Sequence, residues 1–249
     1  MNNKSIDISI DNYEVEEVAD MLSTFGDDRY GYVVTPNVDH IIRVCDDRVF
    51  RNIYKEASYV FLDSQFVAKA LKLVKGVDVK VCRGSDLTER LLETVMRDDD
   101  HLVVVGSSGE QIESLAKKYR LNNISHYEPP MGFIHDPAAV EECLQAIEAF
   151  GPFRFCFLAV GSPQQEILAH KLKASGKSRG LALCVGASID FVTGSEKRAP
   201  LILRQWGLEW FYRLIKNPLR LSWRYLIRGP KIFFLFRHIR FCFRHAKTL

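Results

Sequence analysis

Polar residues follow several apolar runs of this sequence, in the position where an α/β sheet carries its chemistry. They are Thr35, Asn37, Asp63, Gly106, Ser107, Gly161, Gln165 and Asp190. Asp63 stands directly after the run YVFL, and a carboxylate in that position can act as a general base. Aspartate also caps helices, so a structural role for Asp63 is the alternative.

Three short segments have the composition of turns that lead from a strand into a helix. In TPNVDHI, Thr35 or Asn37 can cap the helix or bind a ligand. The turn GSSG, residues 106–109, can cradle a phosphate or form only a tight turn, and it matches no standard nucleotide-binding pattern. GSPQQE sets Gln165 and Glu166 in the first helical turn behind a proline, which favours ligand binding over a plain cap.

The sequence offers little for metal or covalent catalysis. The seven histidines form no ligand pair at helical spacing. The run Asp98-Asp99-Asp100 imitates a metal-binding DxD, but it closes a helix just before a strand, at the opposite end of the sheet, and indicates a solvated turn. No serine or cysteine nucleophile elbow is present. We therefore expect neither a metal site nor a cofactor.

Strand and helix patterns alternate through residues 30–187. The strand patterns are residues 30–37, 57–63, 101–108, 153–161 and 181–187. The helical patterns between them are residues 38–57, 86–99, 109–120, 137–150 and 164–176. This alternation predicts an α/β fold with a mainly parallel sheet. Ligands then bind where the strands run into loops.

Charge is distributed unevenly along the chain. From Lys197 onward 13 Lys and Arg residues oppose one acid, Glu209, whereas residues 1–196 hold 30 acids against 21 bases. An acidic body with a basic tail implies an anionic partner for the tail. The tail also holds all three tryptophans. Its first segment, KRAPLILRQWGLEWFYRL, leaves nucleic acid, a membrane surface or a buried helix face open.

Near residue 195 the alternation stops, and the remainder indicates helices broken at Pro218 and at Gly229-Pro230. We therefore predict an α/β catalytic domain, residues 1–195, and a basic, aromatic-rich helical appendage, residues 196–249. No apolar run approaches the length of a membrane-spanning helix. The six scattered cysteines favour reduced thiols, so we expect a cytoplasmic protein.

Several segments together resemble one family, the WecG/TagA/CpsF glycosyltransferases, which add the second sugar to lipid-linked precursors of bacterial surface polysaccharides. The matching segments are TPNVDH, the Asp63 strand end, CRGSDL, VVVGSSGE, GSPQQE, ASIDFVTGSEKRAP and GLEWFYRLIKNPLRLSWRY. They cover residues 5–240 in the family's order. Two departures occur: Ser64 stands where the family has glycine, and Gln164 stands where it has lysine.

The resemblance implies a Rossmann-like fold with helices on both faces of the sheet and a C-terminal helical appendage. It implies an inverting, metal-independent transfer of a sugar from a UDP-sugar to a sugar on undecaprenyl diphosphate. It also implies that Asp63 is the base. The substrate-binding residues implied by the resemblance and by the strand ends are Thr35, Asn37, Arg83, Gly106, Gln165, Glu166, Asp190, Arg213, Arg220 and Arg224.

The expected partners are a UDP-sugar, a lipid-linked sugar acceptor and the anionic inner face of the bacterial plasma membrane, with a homo-oligomer left open. A helix of the tail with Trp, Phe and Leu on one side and Arg on the other can place its apolar side in lipid and its arginines toward water or the donor. Two other functions remain as alternatives. One is a non-catalytic scaffold of a polysaccharide assembly complex, and the other is a nucleic-acid-binding protein, which the acidic body disfavours.

Overall fold

The computed structural model describes residues 5–26, 28–206, 209–216, 218 and 230–244. Its strands are β1 (Ile6–Asp11), β2 (Tyr30–Val34), β3 (Tyr59–Val60), β4 (Leu102–Val105), β5 (Ile124–Tyr127), β6 (Phe155–Leu158), β7 (Gly180–Cys184) and β8 (Ile239–Arg244). Within these residues, six strands form one sheet in the order β3-β2-β7-β6-β4-β5, and every neighbouring pair is parallel. The predicted α/β class with a parallel sheet is confirmed.

Helices cover both faces of this sheet. Val103 and Val105 of β4 point into one core, while Leu102 and Val104 point into the other. The first core is closed by α2 (Val38–Asp46), α3 (Arg48–Glu56), α4 (Gln65–Lys75), α7 (Pro137–Ala149) and α8 (Gln164–Ser175). The second is closed by α1 (Val15–Ser23), α5 (Gly84–Thr94), α6 (Gly109–Tyr119) and α9 (Ser188–Thr193). Strands buried on both faces explain the uninterrupted apolar runs of the sequence.

Local chemistry adjusts some predicted boundaries. The helical pattern of residues 38–57 is divided into α2 and α3 because the Asp47 carboxylate accepts hydrogen bonds from the backbone N–H groups of Val49 and Phe50. The strand pattern of residues 57–63 contains only the two-residue β3. Beyond it the chain still follows β2, since the Phe61 N–H donates to the Val34 carbonyl at 3.1 Å.

The tail returns to the body as a strand, which corrects the expectation that residues 196–249 are helical throughout. Its described helices are α10 (Leu201–Trp206), α11 (Glu209–Lys216) and α12 (Lys231–Leu235). Residues 239–244 instead form β8, parallel to β1. The reason is the alternation IRFCFR, in which every second side chain is apolar, a period that favours a strand. The division into domains at residue 195 stays a prediction.

Opposite charges fix the register of β8 on β1. The Arg240 guanidinium donates to both carboxylate oxygens of Asp7, at 2.9 and 2.7 Å, and Arg244 donates to Asp11 at 2.6 Å. The Asp11 carboxylate also accepts from the backbone N–H of Val60 at 2.7 Å. Through Asp11, β8 is therefore connected to β3, the strand that leads to Asp63. None of the described helices has the length and apolar character needed to span a membrane.

Two phenylalanines of the tail allow a matched test of how firmly it docks on the body. Phe236 is 1% exposed beside α2, whereas Phe234 is 74% exposed. We expect Phe236→Ala to lower the free energy of unfolding by about 3–5 kcal/mol, because it leaves a cavity in the core. Phe234→Ala should change it by less than about 0.5 kcal/mol. Urea unfolding of both variants measures this, and equal effects would contradict the docking of α12.

Candidate active site

The predicted site residues follow the carboxyl ends of five adjacent strands. Thr35 and Asn37 follow β2, Asp63 follows β3, Gly106 follows β4, Gln165 and Glu166 follow β6, and Asp190 follows β7. Because these strands are parallel, their exits meet at one edge of the sheet. Arg83 immediately precedes α5 at this edge. The structure thus brings these eight residues to one side of the molecule.

Asp63 is half-buried and held by two backbone hydrogen bonds. Its own N–H donates to the carbonyl of Pro36 at 3.0 Å, which ties the exit of β3 to the exit of β2. Its Oδ1 accepts from the N–H of Gly84 at 3.2 Å, the first residue of α5. A helix N-terminus favours negative charge, so this contact stabilises the ionised carboxylate that a base requires.

The side chains of Thr35 and Ser188 both approach Gly84. A Cβ at this position would lie 3.1 Å from Oγ1 of Thr35 and 3.8 Å from Oγ of Ser188. A larger residue would therefore require Oγ1 of Thr35 to shift by a few tenths of an ångström, next to the N–H group that Asp63 accepts from. This close approach favours glycine in the motif CRGSDL.

Ser64, one of the two departures from the family pattern, fits without strain. Its φ is −111°, an extended conformation that any residue adopts. Its side chain caps α4 by accepting from the N–H of Val67 at 3.3 Å. The cap of α4 thus belongs to Ser64. Asp63 instead contacts the first N–H group of α5 at the edge of the sheet.

Cys82, close to Asp63, does not supply a reactive thiol. Burial raises the pKa of the Cys82 thiol, and the nearby Asp63 carboxylate raises it further. The thiol therefore stays protonated at neutral pH and is a poor nucleophile. We therefore assign the chemistry at this edge of the sheet to oxygen and nitrogen groups and not to the Cys82 thiol.

The loop after β6 is fastened to two neighbouring strand ends. The Gly186 N–H donates to Oε1 of Gln165 at 2.8 Å, and the Gln165 amide nitrogen donates to Oε1 of Glu166 at 2.9 Å. Glu166 is 1% exposed and lies against His40, with 3.3 Å between Oε1 and Nε2. His40 was not predicted as a site residue. The signal for it was its place three residues after Asn37, where a side chain can complete a capping box.

The turn after β4 is a strained connection joined to α9. Gly106 has φ +89°, and a Cβ there would lie 3.1 Å from the carbonyl of Ala159. Ser108 and Gln111 form a capping box on α6, and the Gln111 amide donates to the Asp190 carboxylate at 2.6 Å. The tight turn predicted for residues 106–109 is present. A phosphate-binding role for Gly106 stays a prediction.

The comparison with known proteins agrees with this geometry. The model of the glycosyl transferase WecG/TagA/CpsF family matches residues 4–246. The chain belongs to this family. The match covers both the strand-end site and the basic tail of this WecG/TagA/CpsF glycosyltransferase. The tail is therefore part of the family's sequence and not an unrelated extension.

A charge cluster joins the start of the glycosyltransferase's tail to α5. The Arg198 guanidinium donates to Asp86 at 2.9 Å and to the Ser85 carbonyl at 3.1 Å, and it lies 3.3 Å from Glu89. Asp86 also accepts from Arg83 at 3.4 Å. Arg198, which the sequence singled out only as part of the KRAP segment, therefore connects the start of the tail to α5. The first N–H group of α5 contacts Asp63.

The three predicted arginines of the tail are not all placed by the structure. Arg213 belongs to α11, but its side chain is outside the described part of the chain. Arg220 and Arg224 lie outside the described residues. Their roles stay predictions, as do the substrate contacts of the residues at the sheet edge.

Proposed function

We propose that this glycosyltransferase moves a sugar, with inversion, from a UDP-sugar onto a sugar carried by undecaprenyl diphosphate, in the synthesis of a bacterial surface polysaccharide or exopolysaccharide. The observation that carries the proposal is the Asp63 carboxylate at the sheet edge, half-buried and supported by the Gly84 N–H, in a chain of this family. A single carboxylate suffices for an inverting transfer, because only one base is needed for direct displacement.

The reaction has one displacement step. The acceptor hydroxyl oxygen attacks the anomeric carbon from the face opposite UDP, and the bond between that carbon and the diphosphate oxygen breaks. The hydroxyl proton passes to Asp63, and the electron pair of the broken bond leaves with UDP. Thr35, Asn37 and Gln165 are proposed to bind the sugar and nucleotide at the strand ends.

The leaving diphosphate needs positive charge, and the tail is the proposed source. Arginine presents planar pairs of N–H groups that match diphosphate oxygens. Near Asp63, Arg83 and Arg198 both contact Asp86. We propose that Arg213, Arg220 and Arg224 complete the site and take the place that a metal ion has in metal-dependent transferases, so that no cofactor is needed.

A donor and acceptor screen tests the proposal. Purified protein is incubated with a panel of UDP-sugars and a short-chain diphospholipid bearing one sugar, and products are read by mass spectrometry. We expect the acceptor to gain one sugar and NMR to show the inverted anomeric configuration. UDP binding without transfer to any acceptor would instead support the scaffold alternative. Absence of both UDP binding and transfer would reject the nucleotide donor.

The tail is also proposed to hold the enzyme on the anionic inner leaflet, where the lipid acceptor lies. Large apolar side chains are exposed on the tail helices and on α4, which contacts α10; they are Leu73, Val74, Ile202, Trp206, Phe211, Ile215 and Phe234. Such side chains insert at the headgroup boundary, and each nearby basic residue adds about 1 kcal/mol on anionic lipid.

We expect the double variant Trp206→Ala/Phe211→Ala to bind anionic vesicles at least roughly tenfold more weakly, because it removes the apolar area that inserts. Co-sedimentation with vesicles of phosphatidylcholine alone and with phosphatidylglycerol measures the change. Met131→Ala is the matched control, since Met131 is fully exposed but follows β5, the outermost strand on the side of the sheet away from β3. Equal binding by both variants would contradict a tail-directed membrane surface.

A further inference from the structure

His40 and Glu166 form a buried ionisable pair beside the site. Nε2 of His40 lies 3.3 Å from Oε1 of Glu166, and the two side chains are 8% and 1% exposed. Glutamate is rarely buried to this extent unless it has a partner. Direct contact with a substrate needs an accessible carboxylate, which Glu166 does not offer. Its burial therefore calls for a role inside the protein.

The pair is the centre of a chain of contacts that links three strand ends. The Asn37 N–H donates to Nδ1 of His40 at 3.2 Å, which assigns the remaining imidazole proton of the neutral ring to Nε2, facing Glu166. Gln165 donates to the same oxygen of Glu166 and accepts from the Gly186 N–H. Residues after β2, β6 and β7 are therefore connected through side chains in the protein interior.

Aromatic packing keeps the imidazole in this position. The Phe50 ring stacks on His40 with an interplanar angle of 20° and centroids 6.5 Å apart, and Tyr54 lies at the same distance on a tilted plane. Burial raises the pKa of the Tyr54 hydroxyl, and the charge of Glu166 raises it further. Tyr54 therefore stays neutral and adds no second charge beside the pair.

We infer that His40 and Glu166 are positioning residues that hold the loops after β2, β6 and β7 in the arrangement that binds the donor. Glu166 acts through Gln165 rather than by touching the substrate. The inference rests on the proposed function, because Asn37 and Gln165 are its proposed donor ligands. Breaking the pair frees the loop at residues 161–166 to move against Asn37, which weakens donor binding and leaves the Asp63 base in place.

Two substitutions of His40 separate its hydrogen bond with Asn37 from its 3.3 Å contact with Glu166. In His40→Gln the amide nitrogen can still reach Glu166, whereas in His40→Asn the side-chain oxygen can only accept from the Asn37 N–H. We expect His40→Asn to raise KM for the UDP-sugar, and Kd for UDP, by roughly tenfold, about what the loss of one polar contact costs, because the loop at residues 161–166 loses its contact with His40. The change in kcat should be much smaller, and His40→Gln should recover most of the affinity.

Hydrogen exchange gives a readout that does not depend on activity. The Gly186 amide should exchange faster in His40→Asn, along with amides of residues 161–166, because its Gln165 acceptor is no longer held. His170→Asn is the matched control: it removes a His–Glu pair of similar length, 3.2 Å to Glu56, whose side chains are 31% and 53% exposed. It should change neither exchange at Gly186 nor affinity for UDP.

The outcomes distinguish this inference from the proposed function. Wild-type protein that does not bind UDP in calorimetry would overturn the proposed function and the inference together. Tight UDP binding by both wild type and His40→Asn, with unchanged exchange at Gly186, would overturn the inference alone. Glu166→Ala should weaken UDP binding to the same extent as His40→Asn, because both remove the contact between the two side chains. A loss in Glu166→Ala with none in His40→Asn would show that Glu166 acts on the donor directly and would overturn the positioning role of the pair.

Discussion

Asp63→Asn is expected to lower kcat for sugar transfer by about 10²- to 10⁴-fold, the usual contribution of a general base. The substitution removes proton acceptance and the negative charge, and it keeps the shape of the side chain. The side-chain oxygen of asparagine can still accept from the Gly84 N–H, as Oδ1 of Asp63 does at 3.2 Å. The backbone bond from residue 63 to the Pro36 carbonyl is also unaffected. Affinity for UDP and the unfolding midpoint should therefore stay close to the wild-type values.

The experiment combines single-turnover transfer, calorimetry with UDP and thermal unfolding on the same protein preparation. Asp78→Asn is the matched control, because it makes the same chemical change on a carboxylate that is 80% exposed and forms a surface ion pair with Lys72. That control should transfer sugar at the wild-type rate. Retention of transfer by Asp63→Asn would remove Asp63 as the base, and a large fall in UDP affinity would assign it to donor binding instead.

The placement of Asp63 shows what the sequence could predict. Alternating strand and helix patterns predict a parallel sheet, and parallel strands send their exits to one edge. A polar residue directly after an apolar run is thereby assigned to that edge without any knowledge of its neighbours. This reasoning located Thr35 and Asp63 correctly at the edge, because it depends only on local pattern and on one rule of topology.

The contacts between these residues could not be predicted in the same way. Asp63 accepts a hydrogen bond from the N–H of Gly84, which lies 21 positions later in the chain. Arg240 of β8 pairs with Asp7 of β1, 233 positions away. Such partners are chosen by three-dimensional packing, which the periodicity of either segment alone does not encode. The sequence predicted neither β1 nor β8, and although the alternation IRFCFR is typical of a strand, it does not specify residues 6–11 as its partner.

Arg220→Ala is expected to raise the barrier to transfer by about 2–4 kcal/mol, which is typical for removing a group that stabilises charge developing in the transition state. The reason is electrostatic. The negative charge on the diphosphate grows as the bond to the sugar breaks, and an arginine fork can bind two of its oxygens. Arg213, Arg220 and Arg224 are separated by seven and four residues, intervals that would place them on one helix face if Pro218 occupies a first turn or a kink between them.

A contribution to the transition state can be separated from simple donor binding. If Arg220 acts on the developing charge, kcat should fall more than affinity for UDP-sugar, and Arg220→Lys should recover only part of the loss, because lysine keeps the charge without the fork. Arg237→Ala is the matched control, since Arg237 is an exposed arginine of the same tail outside the row. Equal losses in both variants would assign the row to general attraction of anions.

Combined with Asp63→Asn, Arg220→Ala should cost less than the sum of the two single changes, because without the base the bond to UDP no longer breaks in concert with proton removal.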